Sequence, residues 1–254
     1  MSVTAKPGSG NVVLVSGAAG AMGREVSGFF AQSGRRVVCA DLNDPTELAQ
    51  GLAQQGHPAV GVALDVTDPD SWAKAVRVAT DNFGELDAFV NLAATVTDGD
   101  DSVLDVDPHE WLRVLEVNVV GLGLGVSAVV PALRESGAGR IVTVASAVGL
   151  RGNPTHAAYS ASKGAVIALT RQAAVALAPF GITVNCVAPG VMEKAMLSKH
   201  TDAGRRSEWV VRAPFSRAVR EVEVARAIDY FLAPEAGIVT GQVLSVDGGW
   251  TASL

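Results

Sequence analysis

The chain has 254 residues, of which 48% are apolar and only 5% aromatic, a balance that fits one large α/β domain with its sheet buried between helices. A formal net charge of −6 excludes a basic, sequence-independent nucleic-acid binder. No apolar run comes near the roughly 20 residues of a membrane span, so none is expected, and positions 1–10 lack a signal-peptide layout and read as a flexible lead-in.

Short β-branched runs then alternate with longer helical stretches. Val12–Val15 is a strand, followed by a helix over Met22–Ser33. Further strands are expected at Arg36–Ala40, Ala59–Ala63, Leu86–Val90, Arg140–Val144, Ile182–Val187 and Gln242–Val246. Most of these runs are apolar throughout instead of alternating, so both faces of the sheet are covered. Repeated strand–helix units with right-handed crossovers give a doubly wound parallel sheet with helices on both faces. No linker or internal repeat divides the chain, and 1–254 reads as one domain. Cys39 and Cys186 both lie in strand-like runs and read as buried free thiols of a reducing compartment, the cytoplasm. Two long stretches, Asp107–Glu135 and Thr155–Ala178, carry small and apolar residues on more than one face, which suggests that a partner subunit covers part of each.

The run Ser16-Gly17-Ala18-Ala19-Gly20-Ala21-Met22-Gly23 joins the first strand to the first helix. Residues with little or no Cβ allow backbone N–H groups to approach a pyrophosphate, and the helix N-terminus adds partial positive charge. The alternative is a tight turn with no ligand. Asp41 ends the second strand at the distance downstream where a carboxylate accepts bonds from both hydroxyls of an adenosine ribose and repels a 2′-phosphate. Neither Ala18 and Ala19 nor Leu42 and Asn43 supply a cation, so these residues favour NAD over NADP. Asp41 can instead begin the turn Asp41-Leu42-Asn43-Asp44-Pro45. Asp65, in Leu64-Asp65-Val66, either meets an adenine edge or starts the turn into a helix at Asp68-Pro69, and the sequence leaves both open.

Tyr159 and Lys163 stand four residues apart in a helical stretch and project from one face. A free phenol, with a pKa of about 10, is a poor base at neutral pH. A nearby ammonium and a positively charged nicotinamide stabilise the phenolate, so that Tyr159 can take an alcohol proton while hydride leaves for the nicotinamide. Ser146 lies just past the Arg140–Val144 strand, at the carboxyl end where such sheets bind ligands, and can hold the substrate oxygen. Asn118 is an odd choice inside a helix. It either bends the helix and holds a water on the way to Lys163, or is a packed, hydrogen-bonded core amide.

Together these residues resemble the short-chain dehydrogenase/reductase family over roughly Val12 to Gly249. The ordered set is Ser16 to Gly23, Asp41, Asp65, Asn91 to Ala94, Asn118, Ser146, Tyr159, Lys163 and Pro189-Gly190, with Thr240-Gly241-Gln242 and Val246-Asp247-Gly248-Gly249 closing it. The resemblance implies a Rossmann-like sheet of about seven strands, an Asn118/Ser146/Tyr159/Lys163 tetrad and a homotetramer. It further implies a nicotinamide cofactor held by Ser16, Gly17, Ala21, Met22, Gly23, Asp41, Leu42, Asp65, Val66, Asn91, Ala93, Pro189, Gly190 and Met192, with Tyr159 and Lys163 beside its ribose. Three positions depart from the pattern. Ala21 replaces a loop glycine, Leu92 replaces the second Asn of Asn-Asn-Ala-Gly, and Lys194 stands where a threonine usually touches the carboxamide.

Residues 191–220 read as a substrate lid. Lys194, Lys199, Arg205, Arg206, Arg212, Arg217 and Arg220 outnumber Asp202 and Glu208 there. That excess either attracts an anionic substrate or is ordinary surface charge. Met192, Met196, Leu197, Trp209 and Phe215 can wall an apolar pocket. Val148, Leu150, Asn153 and His156 can face the substrate, with His156 a helix-end residue instead of a catalyst. Ser146 and Tyr159 complete the expected substrate contacts. No residues have metal-ligand spacing. The expected activity is NAD-dependent interconversion of a small secondary alcohol and a ketone, without nucleic-acid or membrane partners. A carrier-linked 3-oxoacyl reductase and a catalytically silent NAD-binding scaffold are the alternatives.

Overall fold

A computed structural model describes residues 12–194 and 203–253. Seven strands form one parallel sheet in the order β3-β2-β1-β4-β5-β6-β7. They are β1 (Val12–Ser16), β2 (Arg36–Asp41), β3 (Ala59–Ala63), β4 (Ala88–Asn91), β5 (Arg140–Val144), β6 (Thr183–Pro189) and β7 (Val243–Val246). The strand order reverses between β1 and β4, and open α/β sheets bind ligands in the crevice such a reversal leaves at the strands' carboxyl ends. One apolar cluster, including Leu14, Trp72, Phe89, Leu122 and Ile141, packs on one face of the sheet. A second, including Val13, Phe30, Val90 and Ile228, packs on the other. This double burial is why the strands are apolar throughout.

The helices are α1 (Ala21–Gln32), α2 (Thr46–Gln54), α3 (Pro69–Phe83), α4 (Pro108–Leu115), α5 (Gly121–Ser136), α6 (Ala157–Leu177), α7 (Ala203–Arg212) and α8 (Glu221–Leu232). The stretch expected as one helix over Asp107–Glu135 is α4 and α5 joined by a π-helical turn at Glu116–Val120. Asn118 sits in the middle of that turn. Among the described residues, the run Pro108–Ser136 is long and apolar enough by composition to cross a membrane, with a mean hydropathy of 1.8 over its window. This corrects the expectation that no such run exists. Valine, leucine and small residues raise the mean, while the helix buries Leu122, Val129 and Leu133 in the sheet's own core. Smaller differences lie at strand ends: β4 starts two residues later than expected, at Ala88, and includes Asn91.

Candidate active site

The turn after β1 is built for close approach. Gly17 has φ +74°, and a Cβ there would lie 2.6 Å from the Ala93 nitrogen, so the loops after β1 and β4 touch backbone to backbone. A Cβ on Gly23 would lie 2.0 Å from the Gly17 carbonyl oxygen, so the first turn of α1 packs directly on the loop. Ser16 Oγ donates to Asn91 Oδ1 at 2.8 Å, tying together the ends of β1 and β4. Gly20, the N-cap of α1, has no side chain to accept the helix's first N–H groups, and the first turn carries no acidic residue. A glycine-lined cradle at an uncapped helix N-terminus fits a phosphate.

Asp41 Oδ2 accepts from Ala19 N at 2.9 Å and Oδ1 from Asn43 N at 2.9 Å. It therefore shapes both the glycine loop and the turn after β2, while each oxygen keeps a second lone pair for a ligand hydroxyl. Leu42 beside it is exposed. Asp65 Oδ1 accepts the N–H and hydroxyl of Thr67, at 2.9 and 2.7 Å, and these bonds hold its carboxyl below the ordinary value. That oxygen is used as a turn former, and Val66 next to it is buried in the core. Met192 is also buried, packed with core residues on the α1 and α8 side and bridged to Val219.

Tyr159, Ser162 and Lys163 lie on the buried face of α6. Lys163 Nζ donates to the Val144 carbonyl at 2.9 Å and stands 5.4 Å from the Tyr159 ring centroid. Ser146, buried just past the end of β5, stands beside the Tyr159 phenol, and a hydrogen bond from its hydroxyl would favour the phenolate. Burial outweighs this and pushes the Tyr159 phenol up to about 12, while burial pushes the Lys163 ammonium down to about 8. The expected lowering of the phenol counts on a nicotinamide's positive charge as well as Lys163; with the protein's own groups alone, desolvation of the phenolate dominates. Asn118 is a packed amide: Oδ1 accepts from Thr95 N at 2.7 Å, and Nδ2 donates to the Thr95 carbonyl at 2.9 Å and to Ser162 Oγ at 3.0 Å. Both Nδ2 hydrogens and one lone pair of Oδ1 are thus committed to the protein.

Val148 packs with Val96, Trp111, Val114, Ala158 and Tyr159 in a small apolar cluster. Val96, Trp111 and Val114 escaped the sequence reading because they come from the loop and helix after β4, far along the chain from Tyr159. Asn153 Nδ2 bonds the Thr155 carbonyl at 2.5 Å, Trp209 is buried, and Phe215 and Leu150 are exposed. His156 is the N-cap of α6. Met196, Leu197 and Lys199 lie outside the described residues, as do positions 1–10. Two of the lid's basic residues have acidic partners. Glu223, three residues past the expected lid, takes Arg217 at 2.8 and 2.7 Å and Arg220 at 3.2 Å, and the Lys194 N–H goes to Glu221. Arg217 and Arg220 are therefore already paired, and the local excess of free cations is smaller than composition suggested.

Residues 17–251 match the family model described as Enoyl-(Acyl carrier protein) reductase. The chain is 38% identical over 245 residues to a cyclopentanol dehydrogenase of Comamonas sp., covering 95% of this chain and 97% of the relative. It is 37% identical over 249 residues to a trans-4-hydroxycyclohexanecarboxylate dehydrogenase of Sinomonas cyclohexanicum, covering 95% and 93%. Among solved structures, that of gox2181 superposes with a TM-score of 0.90 at 30% identity, covering 96% of this chain and 97% of that one. The seven-stranded sheet, the glycine turn and the Ser146/Tyr159/Lys163 grouping thus stand in a chain that belongs to the short-chain dehydrogenase/reductase family. It is an oxidoreductase of the kind that uses a nicotinamide cofactor.

Proposed function

We propose that the protein is an NAD-dependent dehydrogenase that interconverts a small, cyclic secondary alcohol and its ketone, with Tyr159 as the proton donor and acceptor. The observation that carries this reading is the buried grouping of Tyr159, Lys163 and Ser146 at the carboxyl ends of the strands, beside the glycine-lined cradle. The cofactor, when bound, supplies a hydride acceptor at its nicotinamide ring and a positive charge. Ser146 holds the substrate oxygen, Tyr159 takes or returns its proton at the phenol oxygen, and the Lys163 ammonium stabilises the phenolate. The protein environment alone keeps the Tyr159 proton tightly held, which suits it to protonate a nascent alkoxide. Alcohol oxidation draws on added positive charge.

Asp41 supports NAD, since a carboxylate at the end of β2 accepts ribose hydroxyls and repels a phosphate. The names of the two relatives bring cyclic alcohols, one neutral and one a carboxylate. The family model's description favours a second reading, a carrier-linked reductase, and Asp41 counts against it because that chemistry usually goes with NADP. Exposed Leu112, Val120 and Val175 on α4, the π turn and α6 support a homotetramer assembled through these helices. The two buried free thiols support a cytoplasmic location.

The test is a cofactor-absorbance screen of purified protein with NAD or NADP against neutral and anionic cyclic alcohols and acyclic controls, then the matching ketones in reverse. NADH formation from a cyclic alcohol is expected. Turnover only of acyl thioesters with NADPH replaces this reading with the carrier-linked one. Cofactor binding without any turnover points to a silent scaffold.

A further inference from the structure

Helix α6 lacks a cap of its own. Its N-cap residue, His156, stands in the left-handed region at φ 59°, ψ 54° and contributes no side-chain capping bond, and no acidic residue lies in the first turn. The first N–H groups of a helix need acceptors, and Ser, Thr, Asp or Asn at the N-cap usually supplies one. Here the acceptors come from a residue more than fifty positions away. Asp100 is 2% exposed; its Oδ1 accepts from Ala158 N and its Oδ2 from Tyr159 N, both at 2.8 Å. The Asp100 carbonyl meets His156 Nδ1 at 3.0 Å, and the Asp101 carbonyl accepts from Ala157 N at 3.0 Å.

The other side of the Tyr159 residue is held as well. Its carbonyl accepts from Ser162 Oγ at 2.7 Å, and Ser162 Oγ accepts from Asn118 Nδ2 at 3.0 Å. Asn118 is in turn paired with Thr95 through both backbone groups. The loop after β4 thus grips the main chain of Tyr159 at its N–H directly and at its carbonyl through two side chains. We propose that Asp100 is a positioning residue for the reaction: by pinning the first turn of α6 to this loop, its carboxylate fixes the phenol of Tyr159 relative to Ser146. The proposal rests on Tyr159 being the proton donor and acceptor. Charge-assisted bonds to two adjacent N–H groups are short, directional and favoured by the helix's positive end. The phenol oxygen lies at the far end of its side chain, so a small tilt of this turn is amplified there.

The test compares Asp100→Asn and Asp100→Ala with wild type, using Asp101→Asn as a control because Asp101 enters the clamp through its carbonyl. An amide can accept with its oxygen but turns an NH2 towards the second N–H, so Asp100→Asn breaks half the clamp at nearly constant volume. In a folded Asp100→Asn protein, kcat falls by about tenfold or more while the NADH dissociation constant and the alcohol KM move by less than about threefold. Hydrogen exchange in a peptide spanning 157–163 speeds up, and Asp101→Asn matches wild type in every readout. Two results overturn the proposal: kcat within about twofold of wild type, or an Asp100→Asn protein that fails to fold or loses cofactor affinity in step with kcat. The second makes Asp100 a plain structural residue. Wild type with no alcohol turnover defeats the Tyr159 reading itself, an outcome distinct from an active wild type with an unaffected Asp100 variant.

Discussion

Lys163 faces Tyr159 across 5.4 Å from ammonium to ring centroid, while its Nζ donates to the Val144 carbonyl at 2.9 Å. One cation thus serves a strand end and a phenol together. If Tyr159 carries the proton, Tyr159→Phe lowers kcat by about 10²- to 10⁴-fold and leaves NADH binding within about twofold, checked by turnover and by nucleotide fluorescence. Unchanged turnover removes Tyr159 from the chemistry.

The same pair sets a pH dependence of stability. Burial moves Lys163 from 10.5 down to about 8 and Tyr159 from 10.0 up to about 12. Between about 8 and 10.5 the unfolded chain binds the extra proton at lysine, so this group makes stability rise with pH. Between 10 and about 12 the folded chain keeps the phenol proton, so stability falls. Lys163→Met removes a buried charge. Its Tm at neutral pH should equal or exceed that of wild type, and the difference should shrink as pH rises through the lysine window. A constant deficit at every pH shows that the Val144 bond outweighs burial.

Asp41 holds the glycine loop through Ala19 N and is placed to read the ribose. Asp41→Ala should weaken NAD binding by about tenfold, the loss of one to two charge-assisted bonds, and raise the NADP-to-NAD preference by a similar factor. Titration calorimetry with both nucleotides measures this. Equal dissociation constants for the two nucleotides in wild type defeat the carboxylate argument.

Two glycines of α1 should respond in opposite ways. Gly23→Ala forces a methyl to within 2.0 Å of the Gly17 carbonyl, so the cradle must open, with a stability loss of about 1–3 kcal/mol and loss of measurable nucleotide binding. Gly28 has open space around the same added atom. Gly28→Ala should raise stability by about 0.5–1 kcal/mol, read as Tm, and leave binding alone.

Arg217 separates the two readings of the lid's charge. Its guanidinium is spent on Glu223, whose carboxyl the pairing holds down at about 2. Arg217→Gln should therefore leave the ratio of KM values for anionic and neutral alcohols unchanged. A rise confined to anionic substrates restores the basic lid as a recognition surface.

Much of this arrangement was legible because it is local. Tyr159 and Lys163 share a helix face by spacing alone, and the glycine run between β1 and α1 announces a turn packed backbone to backbone, as the Gly17 and Gly23 sterics show. What the sequence hid is contact between distant segments. Asp100 reads as one of several acids in a polar turn, and only the fold carries it to the Tyr159 N–H. Trp111 and Val114 look like ordinary amphipathic helix residues until α4 meets α6. The two readings of the lid charge divide on partners just beyond it, Glu221 and Glu223. The Arg220 and Glu223 spacing of three was the available signal. Burial of Tyr159 and Lys163, which raises the phenol before any cofactor charge is added, depends on layers of packing that no local pattern reports.

The π-helical turn at Glu116–Val120 has a consequence for how this gene can vary. Such a turn is equivalent to one residue inserted into an otherwise regular helix. Deleting one residue there would restore an ordinary α-helix while α4 and α5 keep their relative facing, so Val114 would stay in the cluster beside Tyr159 and Leu122, Val129 and Leu133 in the sheet's core. A lineage could therefore shed one of these codons and keep the fold; what it would forfeit is the bulge that seats the Asn118 amide between Thr95 and Ser162.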